Sequence, residues 1–333
     1  MQNLPKFMQA IALESANENF KLVEVELPVP TPADNELLVK VEYVGLNPVD
    51  AKLAKKGFPD WQYPHILGLD AVGTVVEAPV GASPGVGERI MWHADLSGQG
   101  VLSEYTTIAN YAATAVANNI EPQDAATLPC AGLTAIFALD KMQIKQGDLF
   151  FVDGGAGAVG QYAIQLATKR GAIVYASASK KNHALLQKLG AEMVFDYKEK
   201  DFAKHIQQQI GQTQFDAVLD TIGGENTARN IEMMRFCGRI ACLNGLPPLD
   251  NNMLFRKAPN ISIVALGGAW LTKSLCAQQC MSMCGKSLIE EVQQGELQTL
   301  EVIPVDFNAS AITQALHDQL AFKQVGKRVV KVS

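Results

Sequence analysis

The chain is poor in charge and in long apolar runs, and both shortages exclude classes of function. Only 19% of its 333 residues are charged, the formal net charge is -6, and lysines and arginines form no block. Because nucleic acids and anionic membranes are bound through basic patches, neither partner is expected. No segment reaches the roughly 18 to 20 apolar residues of a spanning helix. The first residues lack the apolar core of a signal peptide, so we expect a cytoplasmic protein with reduced thiols.

Cysteine is scarce and unevenly placed. There are six, none before Cys130, and three of them, Cys276, Cys280 and Cys284, recur every four residues. On an α-helix the outer two Cα atoms of this triplet would be about 12 Å apart, whereas zinc holds each thiolate at about 2.3 Å. All three thiols therefore cannot share one ion, and no fourth ligand is near. We interpret the triplet as small side chains, buried or half-buried along one helix stripe, with redox sensing as the alternative.

Hydrophobic periodicity changes character near residue 122. Before it, short alternating runs broken by Pro, Gly, Asn and Asp predict a mostly β domain; the runs are KLVEVELP, ELLVKVEYVGLNP, LDAVGTVVEA, ERIMWH and SEYTTIA. After it, strands from LFFVDG to RIACLNG alternate with helical segments, which predicts βαβ units on a parallel sheet. From Leu271 we expect a long helix to Gln294, then strand EVIPVDF, helix ASAITQALHDQLAF and strand KRVVKVS. The predicted fold class is α/β.

A glycine-rich stretch, DGGAGAVG at 153–160, lies between the apolar strand LFFV and the helix AVGQYAIQLA. In a G-x-G-x-x-G motif the first glycine permits the tight turn, the second lets a pyrophosphate approach, and the third lets helix and sheet pack closely. The amides of the helix N-terminus would bind the phosphates. In this strand-turn-helix context the motif predicts a dinucleotide site. Its residues are Gly155, Ala156, Gly157, Ala158, Val159 and Gly160.

The end of the next strand, AIVYAS, predicts which dinucleotide binds. NAD sites carry Asp or Glu about 20 residues after the glycines, to bind the ribose 2′-hydroxyl. Here the strand ends with Ser177, followed by Ser179, Lys180 and Lys181. Two lysines and two hydroxyls would hold a 2′-phosphate that a carboxylate would repel, so we predict NADPH. The alternative is that the lysines only solvate a helix start, although lysine there opposes the helix dipole.

Seven stretches, in order along the chain, make it resemble the medium-chain dehydrogenases/reductases, in their zinc-independent quinone oxidoreductase (ζ-crystallin-like) branch. The resemblance implies a GroES-like, mostly β catalytic domain (1-122 and 268-333) and a Rossmann domain (123-267) with a doubly wound parallel sheet. It also implies a homodimer. The stretches are VGLNPVD (44–50), GLDAVG (68–73), SEY (103–105), PCAGLTA (129–135), DGGAGAVG (153–160), FDAVLD (215–220) and GKRVV (326–330).

The same resemblance implies that no metal is bound. Zinc-dependent alcohol dehydrogenases have a cysteine near the position of Asn47 to Asp50 and a histidine in a GHE motif, where this chain has Leu69. Their four-cysteine structural loop has no counterpart. We interpret His65 and His93 as hydrogen-bonded structural residues, and expect no open catalytic zinc site.

Chemistry without a Lewis acid favours conjugated acceptors, because they spread the developing negative charge onto a distant oxygen. We therefore expect hydride transfer from NADPH to a quinone or to the β-carbon of an enal or enone. An enoyl-thioester reductase would use the same cofactor geometry. A non-catalytic NADPH-binding sensor, with the cysteine triplet as redox switch, is a third reading.

Three residues are expected to be catalytic. Asn47 matches a family Asn whose amide can donate to the oxyanion; its alternative is a turn residue before Pro48. Thr134 matches a family Thr beside the nicotinamide ribose, and both residues would contact the cofactor. Lys52 stands where several relatives have Tyr, and is either a cationic oxyanion partner or a solvated loop lysine.

Further cofactor contacts are implied by the family resemblance alone. Tyr197 matches a Tyr near the adenosine phosphate. The pairs Asn244-Gly245 and Leu266-Gly267 lie where the family closes over the nicotinamide. The full set of these contacts is Tyr197, Asn244, Gly245, Leu266, Gly267 and Lys327.

Overall fold

A computed structural model of the chain describes residues 4–211, 214–321 and 325–333. The described chain divides into two compact units: the first extends to Leu133 and resumes at Leu266, and the second spans Thr134–Ala265. The prediction placed the first boundary after residue 122, whereas the structure divides between Leu133 and Thr134, and the short helix Pro122–Ala125 packs on strands of the first unit.

The strands, in chain order, are β1 (Phe7–Leu13), β2 (Leu22–Pro28), β3 (Glu36–Gly45), β4 (His65–Ile66), β5 (Asp70–Glu77), β6 (Arg89–His93), β7 (Tyr105–Ala109), β8 (Thr114–Ala115), β9 (Leu149–Asp153), β10 (Ile173–Ser177), β11 (Ala191–Phe195), β12 (Phe215–Asp220), β13 (Met234–Cys242), β14 (Asn260–Ile263), β15 (Val302–Asp306) and β16 (Lys327–Lys331).

The α-helices are α1 (Pro48–Lys56), α2 (Pro122–Ala125), α3 (Pro129–Lys141), α4 (Ala158–Lys169), α5 (His183–Lys188), α6 (Phe202–Ile210), α7 (Glu225–Met233), α8 (Asn251–Lys257), α9 (Gly267–Leu271), α10 (Leu275–Gln293) and α11 (Ala309–Leu320). Among the described residues, none of these helices has both the length and the apolarity needed to cross a membrane.

The first unit is built on two sheets. A seven-stranded sheet has the order β15-β16-β3-β5-β6-β8, with β7 also paired to β3, and a three-stranded sheet has the order β2-β1-β4. Strand β3 pairs antiparallel with β16 on one side and β5 on the other. Its residues Leu37, Leu38 and Val39 are all buried, since neighbours cover it on both faces. The last strand of the chain therefore lies beside the end of β3.

The second unit is a six-stranded parallel sheet in the order β11-β10-β9-β12-β13-β14. Numbered within the unit, this order is 3-2-1-4-5-6, the doubly wound arrangement that binds dinucleotides where the order reverses. The reversal falls between β9 and β12. In the core, Phe151 of β9 and Phe215 of β12 stack with ring centroids 5.0 Å apart. The α/β fold class with a parallel sheet in its second unit is thus confirmed.

The predicted strands before residue 122 all occur as β2, β3, β5, β6 and β7, but β1 was not predicted. The patterns also missed several elements in segments that were left unassigned, namely α1, α2, α3, α8, α9, β4, β8 and β14. The long helix expected from Leu271 to Gln294 begins later, as α10 at Leu275, because α9 ends at Leu271 and Lys273 after it has a φ of 51°. Ser274 then caps α10 by accepting from the amide of Ala277. Helix α11 ends at Leu320, and the predicted end at Phe322 lies outside the described residues.

Candidate functional site

A buried cluster of polar side chains joins three strand ends of the first unit. The Lys327 ammonium, at the start of β16, donates to Asn47 Oδ1 at 2.5 Å and to Asp70 Oδ2 at 2.9 Å. Asn47 follows β3 and Asp70 opens β5, so the pairing of β3 with both neighbours brings the three together. The Lys327 and Asp70 side chains are 2% and 0% exposed. Such a pair tolerates burial only when its remaining hydrogen bonds are satisfied.

The Asn47 amide is fully used inside this cluster. Its Nδ2 donates to Gly45 O at 3.2 Å and to Asp70 Oδ2 at 2.9 Å, while Oδ1 accepts from Lys327. An amide nitrogen has two hydrogens. Both have internal acceptors, so in this arrangement Asn47 presents no free N–H to a substrate oxyanion. To bind an oxyanion, the Asn47 side chain would first have to break one of these hydrogen bonds. The observed contacts favour a structural role, in which Asn47 links Asp70 to Lys327.

Asp50 is a buried carboxyl beside this cluster. Asp50 is the N3 residue of α1, and its Oδ2 accepts from the backbone N–H of Asn47, the N-cap residue, at 2.7 Å. This bond pairs a backbone N–H that the helix itself leaves without an acceptor. Burial, helped by the nearby Asp70 charge, raises the pKa of Asp50 to about 7, although the Asn47 hydrogen bond and the Lys327 charge oppose the rise. Asp50 Oδ1 is buried with no hydrogen-bond partner among the described residues. This carboxyl therefore holds a proton up to near neutral pH.

His65 lies in the same unit and is also buried. Its ring stacks on Trp61 with centroids 3.8 Å apart, and burial lowers its pKa to about 4. Its Nδ1 has no hydrogen-bond partner within the described part of the chain. The predicted structural role thus holds for the stacked ring, but one ring nitrogen is left without the hydrogen bond that was expected.

Asp70, His93 and Cys130 bring three possible metal-ligand atoms within 4.8 Å of one another. The group was missed from the sequence because its members lie far apart and show no ligand spacing. Asp70 Oδ1 accepts from the Cys130 amide at 2.9 Å and Oδ2 is bound to Lys327 and Asn47. A zinc ion on this carboxylate would have to displace the ammonium and leave it buried without its partner. As arranged, these residues do not fit a zinc ion; that none binds stays a prediction.

His93 is a buried residue with backbone hydrogen bonds at positions 93 and 94, as expected of a structural histidine, but one ring nitrogen is left unpaired within the described chain. It is 4% exposed, and its Nδ1 has no partner among residues that the structure describes. Burial lowers its pKa, and the Asp70 charge opposes that shift. A neutral imidazole is therefore favoured at this position.

The cysteine triplet lies on α10, as predicted, but not as buried side chains. Cys276 and Cys280 are exposed and Cys284 is half-buried. The expectation of a buried or half-buried stripe is wrong for the first two, because the buried face of α10 is formed by other residues, including Met281, Leu288 and Ile289.

The glycine-rich turn of the second unit connects β9 to α4. Gly154 has a φ of 86°, so the tight turn requires glycine there, one residue before the predicted Gly155. Gly155 instead lies against Ala176 and Leu186, each 2.9 Å from where a Cβ would stand, and at Gly160 a Cβ would lie 2.6 Å from Gly154 O. Gly160 thus has the close-packing role predicted for it.

Gly157 is the residue before the first turn of α4. A Cβ there would meet only Gly154 O, at 3.4 Å, so its outer side is open. The first amides of a helix have no acceptor within it, and here they belong to Ala158, Val159 and Gly160. Open backbone in front of unpaired amides fits a pyrophosphate, so the residues of this loop fit a dinucleotide.

Ser177 does not have the position expected of a phosphate ligand. Ser177 is buried, and its Oγ donates to Asp153 Oδ1 at 2.6 Å. Ser177 Oγ also accepts from the backbone amide of Gly154 at 2.8 Å. Arg229 and Asn230 donate to the other oxygen of Asp153, at 2.6 and 3.0 Å. The Ser177 hydroxyl therefore holds the glycine turn in place, and its predicted 2′-phosphate contact is corrected.

The other residues of that predicted pocket are accessible. Lys180 and Lys181 are exposed at the end of β10, and neither forms an ion pair with any described residue. Ser179 is half-buried, and its Oγ accepts from Asn182 Nδ2 at 3.2 Å. The Tyr197 side chain is 52% exposed. The lysine charges are thus free for an external anion.

Lys327 has to be removed from the predicted cofactor contacts. Its ammonium is buried between Asn47 and Asp70, so its charge is neutralised inside the first unit and is not offered to a phosphate. Lys52 lies on helix α1 and not in a loop, and its side chain is exposed. Partial burial, and then the Lys56 charge, lower its pKa.

The remaining predicted residues fall in both units. Thr134 is buried in α3, at the first position of the second unit. Asn244 Nδ2 donates to Thr221 O at 2.7 Å and so ties the loops after β12 and β13, and Gly245 beside it has a φ of 77°. Leu266 and Gly267 belong to the first unit, where a Cβ at Gly267 would lie 2.1 Å from Leu96 Cδ2. A larger residue at position 267 would therefore have to displace the Leu96 side chain.

Two family models match the two parts of the chain. The alcohol dehydrogenase GroES-like domain matches residues 33–118, and the zinc-binding dehydrogenase model matches residues 158–278. Together with the mostly β first unit and the doubly wound second unit, these matches define the class. The chain belongs to the medium-chain dehydrogenase/reductase superfamily.

The curated relatives include a trans-enoyl reductase and a quinone oxidoreductase homolog, besides proteins named as dehydrogenases. The chain is 34% identical over 200 residues to the trans-enoyl reductase tazE of Aspergillus terreus, covering 53% of this chain and 65% of that protein. It is 33% identical over 213 residues to a chloroplast envelope quinone oxidoreductase homolog of Arabidopsis thaliana, covering 61% and 64%. The match thus spans just under two thirds of the length of these relatives.

Solved structures match over almost the whole chain. The quinone oxidoreductase of Coxiella burnetii has a TM-score of 0.83 at 28% identity, over 98% of this chain and 100% of that one. A mycobacterial protein complexed with NADPH has a TM-score of 0.85 at 26% identity, over 98% and 100%. Within its superfamily, the chain is therefore quinone oxidoreductase-like.

Replacing Lys327 by Met should strongly destabilise the protein, because it leaves Asp70 buried without its cation. We expect a loss of about 3–5 kcal/mol in the free energy of unfolding, measured by urea denaturation. The double variant Lys327→Met with Asp70→Asn should lose less than the two single variants added together. Lys331→Met, an exposed lysine of the same strand, is the control and should change stability by under about 0.5 kcal/mol. Additive losses would contradict the pairing.

Asp50 should make stability fall with rising pH. Its folded pKa of about 7 lies above the ordinary value of 3.8, so the native state holds the proton longer and loses stability as pH rises from 4 through 7. Asp50→Asn removes this loss. Its free energy of unfolding relative to wild type should rise by about 2–3 kcal/mol between pH 5 and pH 8. Asp60→Asn, at an exposed position, is the control; a pH-independent difference for Asp50→Asn would contradict the burial effect.

Proposed function

We propose that the protein is an NADPH-dependent, metal-independent reductase that transfers hydride to a quinone or to an α,β-unsaturated carbonyl. The observation that carries the proposal is the glycine turn at Gly154 and Gly157, which opens α4 at the point where the strand order reverses. Superfamily membership supports an oxidoreductase that uses a nicotinamide dinucleotide. When bound, the cofactor supplies hydride from its nicotinamide ring.

The preference for NADPH is supported by the end of β10. Lys180 and Lys181 are exposed and have no acidic partner among the described residues, and the half-buried Ser179 precedes them. The strand itself ends in Ser177, so no carboxylate stands there to bind a 2′-hydroxyl or to repel a 2′-phosphate. A related protein of known structure was complexed with NADPH.

The preference for a conjugated acceptor is supported by the donor chemistry of the first unit. Asp70 accepts hydrogen bonds from Lys327, Asn47 and the Cys130 amide. The possible metal ligands Asp70, His93 and Cys130 are therefore poorly arranged to hold a Lewis acid. A conjugated acceptor needs one least, because its negative charge is delocalised. Two relatives are named as a trans-enoyl reductase and a quinone oxidoreductase homolog, and these names refer to the two types of acceptor that we propose.

An enoyl-thioester reductase is the second candidate, and the trans-enoyl reductase relative favours it. It differs from the first only in what is attached to the conjugated carbonyl. A homodimer, as the quinone oxidoreductase branch implies, and a cytoplasmic location complete the proposal.

The initial rate of NADPH oxidation against a panel of acceptors, in the presence of a chelator, tests the function. We expect turnover of a benzoquinone or a 2-alkenal and none of a saturated aldehyde, because only the first two accept hydride without a Lewis acid. A crotonyl thioester in the same panel tests the second candidate. Turnover of the saturated aldehyde would contradict the proposal. Binding of NADPH without any turnover would favour the sensor.

The cofactor preference is tested by the double variant Lys180→Ala with Lys181→Ala. Loss of two charges that hold the 2′-phosphate should weaken NADPH binding about 10- to 100-fold and leave NADH nearly unchanged, measured by fluorescence titration. Lys188→Ala, an exposed lysine of the following helix, is the matched control and should affect neither cofactor. Equal losses for NADPH and NADH would contradict the 2′-phosphate contact.

A further inference from the structure

A cavity of the first unit places two buried titratable side chains together. Its lining is otherwise largely apolar, with Trp61, Leu67 and Leu69 among the residues, but it also contains Asp50 and His65. Asp50 is 1% exposed and His65 is 2% exposed. Each carries one buried polar atom without a partner among the described residues, Oδ1 of Asp50 and Nδ1 of His65. Buried polar atoms are rarely left unpaired, so each such atom requires an explanation.

The two unpaired atoms are chemically complementary. Asp50 Oδ2 already accepts from the backbone N–H of Asn47. A proton on this carboxyl therefore belongs on Oδ1, which makes Oδ1 a donor. On His65, a backbone hydrogen bond with Gly98 favours a proton on a ring nitrogen. Because Nδ1 has no partner, that proton lies on Nε2 and Nδ1 is left as an acceptor. Asp50 Oδ1 can therefore donate to a water molecule or a substrate oxygen in the cavity, and His65 Nδ1 can accept from a water molecule there.

Helix capping alone does not account for the burial of Asp50. A carboxylate near a helix N-terminus is stabilising when it is ionised and near water. Here burial disfavours the ionised form, and Asp70 adds repulsion. Burial therefore weakens the stabilisation that an ionised Asp50 would give to the helix N-terminus. The same surroundings favour the protonated form, which a proton donor needs.

The charged groups around Asp50 come from several elements. Asp70 on β5 favours its protonated form, while Lys327 on β16 and the Asn47 hydrogen bond favour the ionised form. His65 on β4 and Asp95, after β6, line the same cavity. The net effect of burial and these groups is a pKa of about 7 for Asp50.

We propose that Asp50 is the proton donor of the reduction and that His65 is its positioning residue across the cavity. This proposal rests on the proposed function. Hydride addition forms a C–H bond at the electrophilic carbon and moves the π electrons onto the carbonyl oxygen. That oxygen takes the proton as the Asp50 O–H bond breaks, which leaves a carboxylate. Water entering the cavity returns a proton to Asp50, and His65 Nδ1 orients that water by accepting its hydrogen bond.

The first test uses the protein without cofactor or substrate. Infrared difference spectra between pH 6 and pH 9 should contain the C=O stretch of a buried protonated carboxyl, which disappears as pH rises through about 7. Asp50→Asn should abolish this band. Asp95→Asn is the matched control, because Asp95 lines the same cavity but has its Oδ1 paired with Ser97. It should leave the band in place. A band unaffected by Asp50→Asn, or no band in the wild type, overturns the proposal.

The second test measures kcat against pH with the best acceptor of the panel. Asp50→Asn should lower kcat about 100-fold, leave the Kd for NADPH unchanged, and remove the fall in rate above pH 7 that deprotonation of Asp50 causes in the wild type. His65→Asn should lower kcat less and shift that pH profile, and Asp95→Asn should change neither. Circular dichroism of each variant checks that it is folded.

The two tests separate failure of this proposal from failure of the proposed function. A wild type that reduces an acceptor, with an Asp50→Asn variant that reduces it as fast, overturns the proton donor and leaves the reductase standing. A wild type that reduces no acceptor overturns the reductase, and the donor role with it. In that case the infrared band still decides whether Asp50 is neutral in the folded protein.

Discussion

The first unit depends on one buried ion pair, that between Lys327 and Asp70. The ammonium lies 2.9 Å from the carboxylate, at the meeting point of three strands of one sheet. Removing two charges from water is costly, and only a complete set of hydrogen bonds offsets that cost. Asn47 and the Cys130 amide complete the set. Because Lys327 comes from the last strand, the chain must return to its first sheet before this cluster can form.

That constraint also decides which residues are left for chemistry. Asn47, which the resemblance placed at the oxyanion, uses both amide hydrogens within the cluster. Asp50 and His65, which had no predicted role in chemistry, each have a polar atom that is unpaired among the described residues, and both line the same cavity. Groups that hold the fold together and groups that remain reactive are thus adjacent here but distinct, since a side chain with all its hydrogen bonds made has little left to offer a substrate.

In the second unit the constraint is steric. The turn after β9 needs a positive φ at Gly154, and a Cβ at Gly160 in the following helix would lie 2.6 Å from Gly154 O. Asp153 and Ser177 then hold the turn from below by side-chain hydrogen bonds. The result is exposed backbone in front of the α4 amides, and an anion can approach it because side chains are absent.

Features that depend on neighbouring residues were determined by the sequence alone. Strand and helix periodicity predicted most of the elements, and the glycine spacing, read with the strand before it, located the dinucleotide loop to within one residue of the turn. The missing carboxylate after β10 likewise predicts NADPH, and that preference stays a prediction. These signals are local, because backbone geometry repeats every two or 3.6 residues and a turn involves only a few positions.

Only the tertiary structure decided the buried cluster. Lys327 and Asn47 are 280 positions apart, and Asp70 and Cys130 are 60 apart. No periodicity connects such residues; pairing of β3 with β16 and β5 does. The role of a polar side chain then depends on which of its atoms find partners, as with Ser177, whose hydroxyl turned out to hold a turn. Burial and pairing belong to the folded chain, and one sequence position carries neither.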